Sequence, residues 1–316
     1  MSTVKKPILL DETGKEMVSA MRTQNALLGA IARESINALT SWKDIQALVR
    51  QGLAKEIFHI GDQFIVPWKD IEADKTYDVP LDIVHFGDVE LQDGEIVPAM
   101  FLQWHYTLPF SLQFDAPEST ASAVKDPTDN VSKYGYNRWS HSAVRQFLNS
   151  KAGKDAWWTP KHSGDAKPDK LSTKAGFMTG FEDDFLSVIG PIKVTTALNT
   201  ITDENFGNTE DTYDTFFLPS LEQMYAKPQL AGAEGDYFEY WKRATNRTSP
   251  NTWHEGGRNP GYITYDIETK KTPQSLRLRS AYRNSSYDTW YVYSDGLING
   301  LYASSNCRCI PVCAVH

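Results

Sequence analysis

An α+β fold follows from three features of the sequence. Apolar residues recur at helical spacing in two stretches near the N-terminus, Thr13 to Leu39 and Trp42 to Leu53. From Phe58 to Tyr106, and again from Ser275 to His316, the chain turns β-branched and aromatic, with local alternation and turn dipeptides. Between those stretches lie short amphipathic pieces and long irregular connections, which suit a small twisted antiparallel sheet with decorating loops.

Composition sets the outer bounds. The chain has 316 residues, 41% hydrophobic and 23% charged, enough for a sizeable core and too apolar for a disordered chain. A net charge of −8 argues against a nucleic-acid partner or an anionic membrane surface, either of which would want a basic stripe. No apolar run approaches the length of a membrane span, and the opening MSTVKKPILL has too short an apolar run for a signal peptide. The expected setting is synthesis in a cytoplasm without export.

In chain order, Met17, Met21, Leu27, Leu28, Ile31 and Leu39 form one stripe of a first helix, suited to assembly or to packing on its own domain. Ser41 is the expected N-cap of a second helix, with Asp44 in its first turn and Trp42, Ile45, Leu48, Val49 and Leu53 on one face. The division expected from these patterns is a helical segment 1–57, a small β-rich module 58–115, a polar linker 116–133 and a larger domain 134–316. Within the module, Asp93-Gly94 reads as a hairpin turn, and Gly61-Asp62 and Gly87-Asp88 also read as turns. His59, His85 and His105 are scattered along its strands and read as structural histidines in preference to a metal site. Further on, Ser140 is the expected cap of a helix carrying Val144, Phe147 and Leu148. Short helices are expected at Phe181, Pro219 and Tyr237–Trp241. Asp183-Asp184 reads as charge complementing a helix start.

Motifs for chemistry are weak. There is no Gly-rich phosphate loop, no G-x-S-x-G elbow and no H-E-x-x-H helix. His254-Glu255 lies in a Gly-rich loop without a further partner in the sequence. Cys307, Cys309 and Cys313 are an odd number in one cluster, and they read as small core or surface residues rather than a redox pair or a metal site. No cofactor and no metal are expected, and the chain reads as a non-enzyme.

The last stretch, SLRLRSAYRNSSYDTWYVYSDGLINGLYASSNCRCIPVCAVH, is different in kind. From Ala281 to His316 there is no Lys, Glu, Gln or Met, while Tyr, Ser, Asn, Asp and Gly crowd together. Tyr gives a large amphipathic contact with few torsions to freeze, and Ser, Gly and Asn give adaptable hydrogen bonding. Apolar positions run through the same stretch and predict short strands with one buried face, with Ser294-Asp295-Gly296 as a turn between two of them. An ordinary β-rich C-terminus is the plainer reading of that composition.

The blocks YGYNRWSHSAVRQFLNS, AGFMTGFEDDFL, DTFFLPSLEQMY, LRLRS, VYSDG and RCIPVCAV resemble, in their order, the C-type-lectin-fold variable proteins of bacteriophages and gut bacteria, targets of diversity-generating retroelements. SWKDIQALVRQGLAKEIFHIGDQ also resembles the module that precedes this domain in phage structural proteins. The resemblance implies a C-type-lectin-like domain, similar in fold to formylglycine-generating enzymes without implying their activity. It further implies a phage tail receptor-binding or adhesin subunit in the virion, with a host-cell receptor and other tail proteins as partners and self-association as an option.

In such systems bases are substituted at template adenines, and an asparagine codon then never becomes Lys, Glu, Gln, Met or Trp. The resemblance therefore makes 281–309 a variable-like segment, with ligand-binding positions at Tyr282, Asn284, Ser286, Tyr287, Asp288, Tyr291, Tyr293, Asn299, Leu301, Tyr302, Ser304 and Asn306. Its fixed positions would be Leu278, Arg279, Ser280, Trp290, Val292, Gly296, Arg308 and Pro311. Two rivals stand beside this reading: a formylglycine-generating-type enzyme using Cys307 or Cys309, and a static tail component.

Overall fold

Helix α1 spans Trp42–Arg50 and starts where the sequence places it. Ser41 and Asp44 form a reciprocal capping box, each side chain accepting from the other's backbone N–H, and Ile45 and Val49 are buried. The computed structural model describes residues 41–118, 124–169, 171–202, 207–251 and 258–316. The first expected helix, Thr13 to Leu39, and the His254-Glu255 pair lie outside the described residues.

After a short helix α2 (Ala54–Ile57), three long strands follow: β1 (Gln63–Asp70), β2 (Lys75–Glu90) and β3 (Ile96–Trp104). They form an antiparallel meander whose register runs without a break from Gln63↔Asp82 to Asp70↔Lys75 in the first hairpin. Gly94 takes a positive φ of 87° in the second hairpin turn, a conformation that favours glycine. Gly87 and Asp88 correct an expectation. They are not a turn but part of β2, paired with Ala99 and Pro98, because an uninterrupted apolar partner strand continues the ladder past them. His59 and His105 flank the strands rather than lying in them. His105 Nδ1 lies 2.8 Å from Asp82 Oδ2, and His85 stacks on Phe238.

The middle of the chain carries short elements: α3 (Val131–Tyr134), α4 (Ala143–Leu148), α5 (Asp183–Leu186), the hairpin β4 (Ile192–Ala197) and β5 (Thr209–Asp214), and α6 (Glu239–Thr245). Two expectations are corrected here. Ser142, not Ser140, caps α4, its Oγ accepting from Arg145 N. Ser140 instead donates its hydroxyl to Glu210. The segment after Pro219 forms consecutive turns rather than a helix, with Tyr225 at a φ of 55°, which ends any helical run.

The chain closes with a two-residue pair of strands, β6 (Thr264–Tyr265) and β7 (Pro273–Gln274), then β8 (Leu276–Ala281), β9 (Asp288–Val292), β10 (Ile298–Tyr302) and β11 (Val312–Val315). The sheet order β10-β9-β8 makes β9 the central strand of a three-stranded antiparallel sheet. The last strand leaves that sheet. β11 pairs with β3, from Val312↔Gln103 to Val315↔Met100, and completes a four-stranded sheet β1-β2-β3-β11. The sheet therefore crosses the division drawn between 58–115 and 134–316. One apolar core runs from Ile45 and Val49 through Val79, Leu102 and Trp104 to Trp290, Val312 and Val315. The fold is α+β, with small antiparallel sheets and short helices.

Candidate functional site

The three-stranded sheet and the loops between its strands carry the tyrosine-rich stretch. Trp290 and Val292 on β9 are fully buried, and with Leu276 and Leu278 on β8 they seat the sheet in the core. The turn between β9 and β10 is pinned by Gly296. Its φ is 85°, and a Cβ there would stand 2.2 Å from the carbonyl oxygen of Asn259, so glycine is required on two counts.

What fixes the backbone of this segment is a set of buried polar side chains. The Arg277 guanidinium, completely buried, donates to the carbonyl oxygens of Leu301 (3.1 Å), Tyr302 (3.1 Å) and Ser305 (2.7 Å), and to Thr289 Oγ1. Asn137 lies far away in sequence and is equally buried. Its amide Nδ2 donates to Ser285 O at 2.7 Å and Asp288 O at 2.8 Å, and its backbone N–H donates to Ser286 O. Thr200 donates both its N–H and its hydroxyl to Arg283 O. Gln113 Nε2 donates to Ser304 O, and Phe114 N to Ala303 O. The loop carbonyls of Arg283, Ser285, Ser286, Asp288 and Leu301 to Ser305 are thus taken by donors from framework residues, while those of Tyr287, Tyr293 and Leu297 are taken within the segment.

Arg279, the neighbouring buried guanidinium, holds a different region. It donates to Leu218 O, Thr195 O, Glu234 O, Gln223 Oε1 and Thr196 Oγ1. Burial pushes its pKa down to about 10, against the opposing pull of Glu234, so it stays charged at neutral pH.

Of the twelve positions that the resemblance marks as variable, Asn284, Tyr293, Tyr302 and Asn306 are exposed. Tyr282, Tyr287, Asp288, Asn299, Leu301 and Ser304 are half-buried. Ser286 and Tyr291 are corrections. Ser286 is 1% exposed and donates its hydroxyl to Asp126 Oδ2, and Tyr291 is 5% exposed. Simple alternation fails on β9 because both of its faces are covered: Thr289 and Tyr291 are buried as well as Trp290 and Val292, Thr289 by the buried Arg277 guanidinium that donates to its hydroxyl. Tyr291 packs under the exposed Tyr293, their ring centres 4.5 Å apart. The fixed positions Leu278, Arg279, Ser280, Trp290, Val292, Gly296 and Pro311 are buried and Arg308 is half-buried.

Three of these side chains, Tyr282, Tyr287 and Tyr302, gather at edge strand β10. Tyr302 (43% exposed), Tyr287 and Tyr134 form a triangle of rings, with centres 4.4 Å apart for Tyr134–Tyr302, 5.1 Å for Tyr134–Tyr287 and 5.4 Å for Tyr287–Tyr302. Tyr282 stacks on Trp290 at 4.7 Å and lies against Gly300. Tyr134 belongs to this surface and sequence reasoning missed it, as it missed Asn137 and Arg277. Only the LRLR alternation hinted at Arg277. Nothing local marks Asn137.

For metals, one group among the described residues has ligand spacing: atoms of Glu118, His162 and Asp165 lie within 4.8 Å of one another. Two Asp165 contacts are already local, its carboxylate accepting from His162 N at 2.8 Å and lying 3.2 Å from His162 Nδ1. The three cysteines are free and buried. Burial pushes the thiol pKa of each upward, away from the thiolate that a nucleophile needs. Among the described residues no helix is long and apolar enough to cross a membrane.

A family model described as a domain of unknown function, DUF6273, matches residues 120–315, more than half of the chain. The chain belongs to the DUF6273 family. No curated protein and no solved structure matches it. The DUF6273 match covers the whole tyrosine-rich surface and its framework residues Asn137, Thr200 and Arg277. It also covers β11 while leaving out β1, β2 and β3, the strands that β11 joins. The DUF6273 region of this chain therefore shares a sheet with the segment before it.

Proposed function

We propose that this DUF6273 chain is a binding protein: a phage tail receptor-binding or adhesin subunit. On this reading it displays the side chains of segment 281–309 on a C-type-lectin-like domain, and a retroelement diversifies them. One observation supports this most. Carbonyls of Arg283, Ser285, Ser286, Asp288, Leu301, Tyr302, Ala303, Ser304 and Ser305 are held by Thr200, Asn137, Arg277, Phe114 and Gln113, all outside 281–309. A backbone fixed from outside keeps its path when its own exposed side chains change, which is what a diversifiable surface requires. The Tyr134–Tyr287–Tyr302 triangle adds aromatic contact area of the kind that dominates interfaces. The raised cysteine pKa values weigh against a thiolate enzyme.

The test titrates labelled full-length protein onto cells of a panel of bacterial strains and reads binding by flow cytometry. The expected result is saturable binding to a subset of strains. A double variant Tyr287→Ser, Tyr302→Ser should lose it while melting at nearly the parent temperature. Undiminished binding by the double variant would overturn the reading. So would flanking DNA with no second copy of the 281–309 coding sequence altered at adenines, as far as diversification is concerned.

A further inference from the structure

A cavity that shares no residue with the tyrosine surface opens between β2, β4 and the 234–238 loop. Its volume is about 220 Å³. That is below the roughly 300–1,000 Å³ of pockets for drug-sized molecules, so it suits a single-ring molecule. Its inner wall is aromatic. His85, Phe101 and Phe238 form a triangle of rings with centres 5.4 to 5.8 Å apart, and Phe217 also lines it.

One polar group in this wall is unspent. Gln223 is 7% exposed and lines the cavity. Its Oε1 accepts from Ser220 N and from Arg279 Nη1. Both of those groups can only donate, so they fix which end of the amide is the oxygen. The NH2 end therefore points away from Arg279, and it has no acceptor among the described residues. Gly235 leaves it open. Its φ is 92°, and a Cβ there would stand 3.6 Å from Gln223 Nε2 and meet nothing else within 4 Å. Phe238 N donates to Gln223 O at 2.9 Å, which sets the residue against the aromatic wall. An amide donor so nearly buried is costly to leave without an acceptor, and a ligand oxygen would supply one.

The charges around the cavity decide what bears that oxygen. All of the donor nitrogens of Arg279 are directed to protein acceptors, and Lys193 Nζ sits between Glu90 at 3.3 Å and Asp211 at 3.1 Å. An anion would find no open cation there. Glu234, the buried carboxylate, is likewise engaged, accepting from Ala197 N and Ser280 Oγ. Burial lowers the His85 pKa, with Asp236 and Glu239 opposing, so at neutral pH the imidazole adds no charge. The inner wall thus offers rings and one neutral donor.

We propose that this cavity binds a small uncharged carbonyl compound, its oxygen accepting from Gln223 Nε2 and its ring lying against Phe101, Phe238 and His85. Ring-on-ring contact supplies the apolar share of the binding, and the amide fixes the ligand's orientation.

The experiment titrates acetophenone into the full chain and follows the Gln223 side-chain amide and the His85 ring by NMR. Toluene, which lacks the acceptor, and benzoate, which carries a charge, are the controls. One-to-one saturable binding of acetophenone is expected, with both sets of signals shifting. Toluene and benzoate should each bind about tenfold more weakly or worse. Gln223→Glu keeps an oxygen for Ser220 N and Arg279 but replaces the NH2 donor, and should weaken acetophenone by a similar factor. The proposal is overturned if acetophenone does not saturate, if the Gln223 amide signals stay still, if toluene or benzoate binds as tightly, or if folded Gln223→Glu binds like the parent. The ligand series and the amide signals decide the matter even where that variant does not fold.

Discussion

The two larger sheets of this protein are built by different means. In β1-β2-β3-β11 the backbone polar groups satisfy one another along long ladders, and the side chains are left to fill the core. In β8-β9-β10 the ladders are short: β9 and β10 pair over five residues, and the ladder between β8 and β9 is interrupted. β8 meets β9 at Leu276, Arg277 and Ala281 only, and the connecting loops are held instead by Asn137, Arg277 and Thr200. A sheet of the first kind is rigid because its strands are regular. A sheet of the second kind is rigid because a few buried donors reach irregular carbonyls, and this leaves its surface side chains without a structural duty.

Truncation of large buried side chains should not distinguish the sheets, because both drain into one core. Trp290→Ala and Trp104→Ala should each cost about 3–5 kcal/mol through lost burial and a residual cavity, read by denaturant unfolding. A cost for Trp290→Ala near that of a surface change would mean that the three-stranded sheet is only loosely docked.

Polar substitution should separate them sharply. Arg277→Met keeps much of the side-chain volume but strands several buried carbonyls, and should cost about 3 kcal/mol or more. The same variant should also raise amide exchange in residues 299–305. Unchanged exchange there would remove the distinction between the two sheets.

How much of this was legible in the sequence follows from the same contrast. The β1–β2–β3 meander, the Ser41 cap and the Asp93-Gly94 turn were readable because each depends on neighbours in sequence. Trp290 and Val292 were readable as core for the same reason. Tyr291 and Ser286 were not, since Tyr291 is buried by side chains packed on the second face of β9 and Ser286 by contact with Asp126, which lies more than a hundred residues away. Asn137 leaves no local trace because all its partners are distant. The joining of β11 to β3 is likewise a long-range pairing, invisible to periodicity.

A smaller effect concerns acid. His141 is held neutral by burial first and by Arg138 next, which push its pKa down from 6.5 to about 3. Between those values the unfolded chain takes up a proton and the folded chain does not, so stability should fall as pH falls from 6.5 towards 3. His141→Gln should flatten that part of the pH profile of the melting temperature. An unchanged slope would show that the imidazole titrates alike in both states.

Changes at the exposed display positions should be the smallest of all. Tyr293→Ser or Asn306→Asp should move stability by only about 0.5 kcal/mol.

The most direct measurement sets the framework against the surface in one experiment. Unfolding free energies are compared for Asn137→Ala, a single buried change outside 281–309, and for a combined variant Asn284→Ser, Tyr293→Ser, Tyr302→Ser, Asn306→Ser. The single change should cost about 2–3 kcal/mol, since it abandons the buried carbonyls of Ser285 and Asp288. The fourfold surface variant should cost less than that single change. A fourfold variant that unfolds more readily than Asn137→Ala would mean that the surface side chains hold the segment together, and would contradict the division between framework and display.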